Sequence, residues 1–219
     1  MTSVKGPRRR TTTEDVVAAA VTIADREGVE ALTIRAVAAA VGLTPMAIYR
    51  HVRDKEELLD RVVDAVASAL GDVEAEGDWR NRVLALFRGC RRVLLAHPGV
   101  AALSVSRPTP VVGVARFYDR VIDAFQEGGF NGIESVRALD TMLMFLFGSV
   151  LWQIPRSETE RERLVTVAVA DPVRNRHVVE QAAELTRRDP DEYFDHGLKT
   201  ILAGLETRRS EDRLRQSSR

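Results

Sequence analysis

Residues 32–60, LTIRAVAAAVGLTPMAIYRHVRDKEELLD, leave the chain few ways to fold. Thr33 is placed to cap a helix on which Ile34, Val37, Ala38 and Val41 recur at helical spacing. Gly42 supplies the left-handed residue that ends such a helix, and Leu43 follows as its apolar partner. Thr44-Pro45 restarts the chain, because threonine caps well and proline suits the first helical position. The second helix is expected to carry Met46, Ala47, Ile48, Tyr49, Arg50 and His51. Helix, tight turn and helix make the geometry of a helix-turn-helix reader.

Charge supports that expectation. Between Ala31 and Arg53 there is no Asp or Glu, while Arg35, Arg50 and Arg53 are present. The whole chain balances 32 basic against 32 acidic residues. Any nucleic-acid binding must therefore come from where charge is placed, and one face left without acids is what a phosphate backbone requires.

Residues 28–60 resemble the DNA-binding domain of the TetR family of bacterial repressors. The likeness rests on Gly28, Leu32-Thr33, Ala38, Val41-Gly42, Tyr49 with His51, and the ending Asp54-Lys55 with Leu58-Leu59. It implies a homodimer whose two reader helices enter successive major grooves of a double-stranded, two-fold-symmetric operator. Arg35 and Thr44, Pro45, Met46 and Ala47 then face the bases, where arginine pairs with guanine and small apolar groups touch a thymine methyl. Tyr49, His51 and Lys55 match phosphate-holding positions, which set register without reading sequence. Arg50 could do either. The bland alternatives are a half-buried aromatic at Tyr49, a polar helix edge at His51 and a solvated lysine at Lys55.

Around this stretch the sequence reads as all-α. Apolar runs at helical spacing recur, with 45% hydrophobic and 29% charged residues. The first 11 residues, with Lys5, Arg8, Arg9 and Arg10, form a flexible basic arm that either stays solvated or meets DNA. Thr12 and Asp15 suggest a capping box for a first helix ending at Glu27. Asp54, with Glu57 three residues on, opens a helix running to Gly71. The acidic, glycine-containing stretch after it marks a boundary, so residues 12–71 form the three-helix reader domain with its following helix. Residues 72–207 form a helical effector-binding and dimerisation domain, and 208–219 a polar, frayed tail.

Within the second domain, helices are expected over 79–97, 100–106, 111–127, 133–154, 172–188 and 191–207. Residues 156–163 are expected to be a solvated connection before a short apolar segment at 164–170. The helix at 133–154 is apolar nearly all round, so more than one of its faces must be covered. The last helix also resembles that of TetR-family C-terminal domains, which implies a four-helix dimer interface. Phe147, Leu151, Gly197, Leu198, Ile201, Gly204 and Leu205 are its candidates here, the two glycines marking a close backbone approach.

The same resemblance implies a pocket for a small apolar or amphipathic effector. Candidate lining residues are Phe87, Cys90, Phe117, Tyr118, Met142, Phe145 and Trp152, with Met144 and Phe147 as further possibilities. Ordinary core packing accounts for each more readily than ligand contact does, because aromatic and methionine stripes at helical spacing are what cores look like. A single cysteine rules out an intrachain disulfide, and no His or Cys spacing suggests a metal, so no cofactor is expected. Neither a secretory signal nor an apolar run of bilayer length stands out, which points to a cytoplasmic protein without a membrane partner. The resulting function is a ligand-released transcriptional repressor. The competing readings are a DNA-binding regulator without an effector and an all-α ligand-processing enzyme. The latter lacks any nucleophile–base pair, metal spacing or phosphate loop.

Overall fold

Twelve α-helices and one 3-10 turn make up the described residues of the computed structural model, with no strand among them. Those residues are 11–71, 73–106, 111–153, 158–186 and 189–217. The basic arm at 1–10, the break at 107–110 and the first residues of the charged connection after 153 lie outside them.

The first unit combines the described residues up to Val73 with Arg92–Phe117. Helix α1 (Thr13–Glu27) opens on a complete capping box: the Asp15 amide donates to Thr12 Oγ1 at 3.2 Å, and the Thr12 amide donates to Asp15 Oδ2 at 2.9 Å. After the 3-10 turn Val29–Ala31 come α2 (Ile34–Ala40), α3 (Pro45–Ile48) and α4 (Lys55–Ser68). Val16, Ala20, Leu32, Val37, Ile48, Leu58 and Val62 are removed from solvent and form one core. Helix α6 (Pro98–Ser106) adds Val100 and Leu103 and packs on α1 and α4. Val93, Val100, Leu103, Val111 and Val114 thus share a core with the reader helices, which no local pattern announces.

The second unit comprises Glu74–Arg91 and Tyr118 onward. Helices α5 (Trp79–Ala96) and α7 (Val112–Glu127) each contribute to both units. The α5 stripe Trp79, Val83, Phe87, Cys90 and Leu94 is buried throughout. Trp79, Phe125 and Phe130 pack as an aromatic trio, the two phenylalanines edge to face with centroids 5.1 Å apart. Helix α8 (Gly132–Gln153) packs against α12 (Pro190–Ser217) and buries Ala138, Leu139, Met142, Leu146 and Val150 along one side. By length and mean hydropathy of 1.3, α8 alone in the described residues would pass for a membrane span. The same helix carries Glu134, Arg137 and Asp140.

Four expectations change. Glu158–Val169 is helix α9, so the described part of the charged stretch is not an open connection. The amphipathic helix expected at 172–188 is two short helices, α10 (Arg176–Glu180) and α11 (Ala182–Thr186), broken at Gln181. The last helix runs ten residues past Thr207 to Ser217, because Arg208 onward keeps good helix formers and meets no breaker. Its buried stripe is Phe194, Leu198 and Leu202, rotated so that Ile201 and Leu205 are only half-buried.

Candidate nucleic-acid interface

The two short helices are held by caps that close on themselves. Thr33 Oγ1 accepts from the Ala36 amide at 3.1 Å, and Thr44 Oγ1 accepts from the Ala47 amide at 3.3 Å. Gly42 has φ of +68°, which lets the Leu43 amide reach back to the Ala38 carbonyl at 2.8 Å and its own amide to Ala39 at 3.2 Å. That is a Schellman ending, and an L side chain at Gly42 would carry the left-handed strain glycine avoids. Helix α3 is shorter than its sequence suggests. After Ile48 the backbone tightens to i→i+3 bonds, Arg50 to Ala47 at 3.2 Å and His51 to Ile48 at 2.8 Å.

Ile48 and Val52 are buried and anchor the reader segment from beneath. Above them Arg35, Thr44, Pro45, Met46, Tyr49, Arg50 and Lys55 are exposed, and Ala47 and His51 are half-buried. The proposed base-facing and phosphate-facing residues therefore lie at exposed or half-buried positions of the helix-turn-helix and, for Lys55, at the start of α4. Tyr49 is about half exposed.

His51 has a partner that its local sequence does not reveal. Its Nδ1 lies 3.2 Å from Thr13 Oγ1 at the start of α1. With Nδ1 accepting the hydroxyl proton, Nε2 carries the ring hydrogen, the form a phosphate oxygen would meet as a donor.

Arg53 is engaged rather than unopposed. The Glu57 carboxylate accepts from the Arg53 amide at 2.7 Å, from Arg53 Nε at 3.0 Å and from Arg61 Nη2 at 2.9 Å. Asp54 Oδ1 accepts from the Glu57 amide at 2.8 Å and caps α4. The backbone hydrogen bond from Arg53, then the Arg61 and Arg53 guanidiniums, hold the Glu57 carboxyl down at about 2 against an ordinary 4.5. A carboxylate with a depressed folded pKa contributes stability above its unfolded value that is lost as pH falls through the folded one. Melting Glu57→Gln beside the parent from pH 6 to pH 2 should therefore show a gap that is full above about 4.5 and closes towards about 2. A gap that stays constant to pH 2 would mean that the clamp adds nothing.

In the second unit the candidate pocket residues separate. Phe87, Cys90 and Met142 are buried, as is Phe117 in the first unit. Tyr118 is at the surface edge, and burial raises its hydroxyl pKa. Phe145 stacks on Phe194 at 5.4 Å, nearly parallel, and its ring covers Gly197, whose absent Cβ would come 2.9 Å from Cε2. Phe145 is thus committed to joining α8 and α12. Trp152 and Met144 point outward, 58% and 76% exposed, which places neither inside the subunit. Burial pushes the Cys90 thiol up to about 12, so it stays protonated at neutral pH. Native protein at pH 8 should leave a disulfide thiol reagent unconsumed, and one equivalent should react after denaturation; rapid native labelling would contradict this burial.

The dimer candidates divide similarly. Gly197 meets its own chain's ring, and Leu198 is fully buried within the subunit. Phe147, Leu151, Ile201 and Leu205 are half-buried, and a Cβ at Gly204 would meet only open space. Ile133 and Met144 share the uncovered face of α8 with Phe147 and Leu151.

Several residues that organise the units carry no local signal. Asp25 Oδ2 pairs with His97 Nδ1 at 2.7 Å while its Oδ1 accepts from the Gly99 amide at 3.1 Å. Asp64 Oδ1 accepts from the Gly113 amide at 2.9 Å, at the start of α7. Arg91, buried apart from its edge, pairs with Asp191, donates to Gln153 Oε1 at 2.6 Å and lies over the Phe194 ring. Among the described residues no group of three His, Cys, Asp or Glu is placed to hold a metal ion.

With this geometry in view, two family models match. One, described as bacterial regulatory proteins of the tetR family, covers residues 16–62. The other, a tetracyclin repressor-like C-terminal domain, covers residues 73–209. The HTH-type transcriptional repressor DrrR1 of Streptomyces coeruleorubidus is 32% identical, over 92% of this chain and 80% of its own. The class A tetracycline repressor from transposon 1721 of Escherichia coli is 31% identical, over 89% and 90%. Among solved structures, the Streptomyces coelicolor TetR family protein ActR in complex with actinorhodin superimposes with a TM-score of 0.79 at 26% identity, covering 91% of this chain and 98% of that one.

Proposed function

The chain belongs to the tetR family of bacterial regulatory proteins, and from that premise we propose a homodimeric repressor released from a two-fold-symmetric operator by a small ligand. It is a DNA-binding transcriptional regulator. The observation that carries the reading is the capped reader segment, which exposes Arg35, Met46, Tyr49, Arg50 and Lys55 on a surface anchored by buried Ile48 and Val52. Arg35 and residues 44–47 face base edges, while Tyr49, Thr13-tethered His51 and Lys55 hold phosphates.

Dimerisation is supported by the uncovered apolar face of α8. A subunit left alone would leave Ile133, Met144, Phe147 and Leu151 partly or largely in water. A second copy of α8 and α12, with Ile201, Gly204 and Leu205, covers this face and gives two readers for two half-sites. Gly197 and Leu198 leave that interface, since their own subunit already covers them.

The ligand is a small apolar or amphipathic molecule held in the helical C-terminal domain, where Phe87, Cys90 and Met142 supply carbon-rich surface. It acts by binding better to a state in which the readers no longer match the operator. No cofactor or catalysis is required, and the protein works in the cytoplasm, where its DNA is.

The test is a mobility shift with labelled duplex from upstream of the protein's own gene. Specific retardation that weakens by orders of magnitude between about 50 and 200 mM salt is expected. Binding indifferent to sequence at every salt concentration would overturn the reading. A compound from a thermal-shift screen should raise the melting temperature and release the DNA. Specific binding that no stabilising compound relieves would leave a regulator without an effector.

A further inference from the structure

Resting on the reader assignment above, we infer that Met46 is a specificity-determining residue that recognises the C5-methyl group of a pyrimidine in the major groove. Met46 is 76% exposed on a helix whose neighbouring apolar residues, Ile48 and Val52, are buried. It packs on little of its own chain, so folding does not account for an apolar side chain at this position. Its setting defines what it can meet.

The reader segment from Thr44 to Arg50 is TPMAIYR. It contains no Asn or Gln to pair with adenine's N6 and N7, and no Asp or Glu to accept from cytosine's amino group. Pro45 has no amide hydrogen, and the Thr44 hydroxyl accepts from the Ala47 amide at 3.3 Å, which leaves its proton to donate at the edge of the segment. The thioether of Met46 is at best a weak acceptor, whereas its carbons and polarizable sulfur make good dispersion contacts. Arg50 and Arg35 remain for guanine or phosphate. What Met46 itself can distinguish on a base edge is therefore a methyl group, and the major groove offers one on thymine and the same one on 5-methylcytosine. A long unbranched side chain can reach that group where Ala47, half-buried behind it, cannot extend.

The experiment starts with full-length protein selecting binders from a randomised 30-base-pair duplex pool. In the selected duplex each thymine is replaced singly by uracil, which removes only the methyl. At one position per half-site the parent should lose about fourfold in affinity, one methyl's worth of burial. Met46→Ala should bind the thymine and uracil duplexes equally, while Met46→Leu should keep most of the discrimination. Replacing the sensitive T·A pair by 5-methyl-C·G and by C·G then separates the methyl from the base. A preference for 5-methyl-C over C that disappears in Met46→Ala supports the assignment. Uracil sensitivity that persists unchanged in Met46→Ala, or its absence everywhere, overturns it. Failure to select any sequence would instead count against the reader assignment itself. Because Met46 is exposed, its variants should melt with the parent, and a circular-dichroism melt checks this.

Discussion

Met144→Glu combined with Leu151→Glu should turn the proposed dimer into a monomer and abolish operator binding at concentrations where the parent is saturated. Both residues lie on the side of α8 opposite Ala138, Leu139, Met142 and Leu146, so neither substitution opens the subunit's core. In a symmetric interface each substitution appears twice, and four new carboxylates would face apolar surface or one another. Loss of one half-site removes the intramolecular advantage of the second reader, which is worth roughly a hundredfold or more in apparent affinity. Sedimentation velocity should show the halved mass, and the helical circular-dichroism signal should persist. A variant that remains dimeric would place the interface elsewhere. A monomer that still binds operator at parental affinity would make the second reader dispensable.

How far the sequence could be read follows from the range of each interaction. The reader was legible because its determinants are local. Thr33, Gly42, Thr44 and Pro45 act within five residues of themselves, and every cap they imply forms. The resemblance assigns Leu198 to the interface, on a helix where an apolar stripe can be drawn through 194, 198, 201 and 205. Which side of that stripe faces its own subunit depends on α8, some fifty residues away, and the helix turns so that Leu202 is covered instead. Gly197 was read as a close backbone approach, yet the neighbour is the Phe145 ring. The resemblance to the family places Trp152 and Phe145 among the pocket residues. One is uncovered and the other is stacked on Phe194. Arg53 looked like a free cation until Glu57, on the next helix, closed on it. Asp25 with His97 and Asp64 with Gly113 are separated by 72 and 49 residues, beyond any periodicity argument.

The substitution with the largest expected effect on folding is Gly99→Ala. Gly99 is the second residue of α6 and is buried against the C-terminal turn of α1. A Cβ there would overlap the Ala24 carbonyl and come 2.9 Å from the Asp25 nitrogen. All of those atoms are backbone, which no rotamer change can move aside. Alanine is accommodated only if α6 lifts from α1, and that displacement also lengthens the Gly99-to-Asp25 hydrogen bond at 3.1 Å and the His97–Asp25 contact at 2.7 Å. Overpacking of this kind costs about 1–3 kcal/mol, and loss of a partly buried hydrogen bond about 1 kcal/mol more. A total of about 3 kcal/mol lowers Tm by roughly 6–12 °C for a chain of this size. Gly132→Ala is the control, because a Cβ at the first residue of α8 would meet nothing within 4 Å. Asp25→Ala separates the two contributions, since it removes both hydrogen bonds while leaving the helix contact intact, and it should cost less than Gly99→Ala. Scanning calorimetry of the three variants orders them. If Gly99→Ala melts with the control, α6 is not pressed against α1, and the shared core of the first unit must be drawn without it.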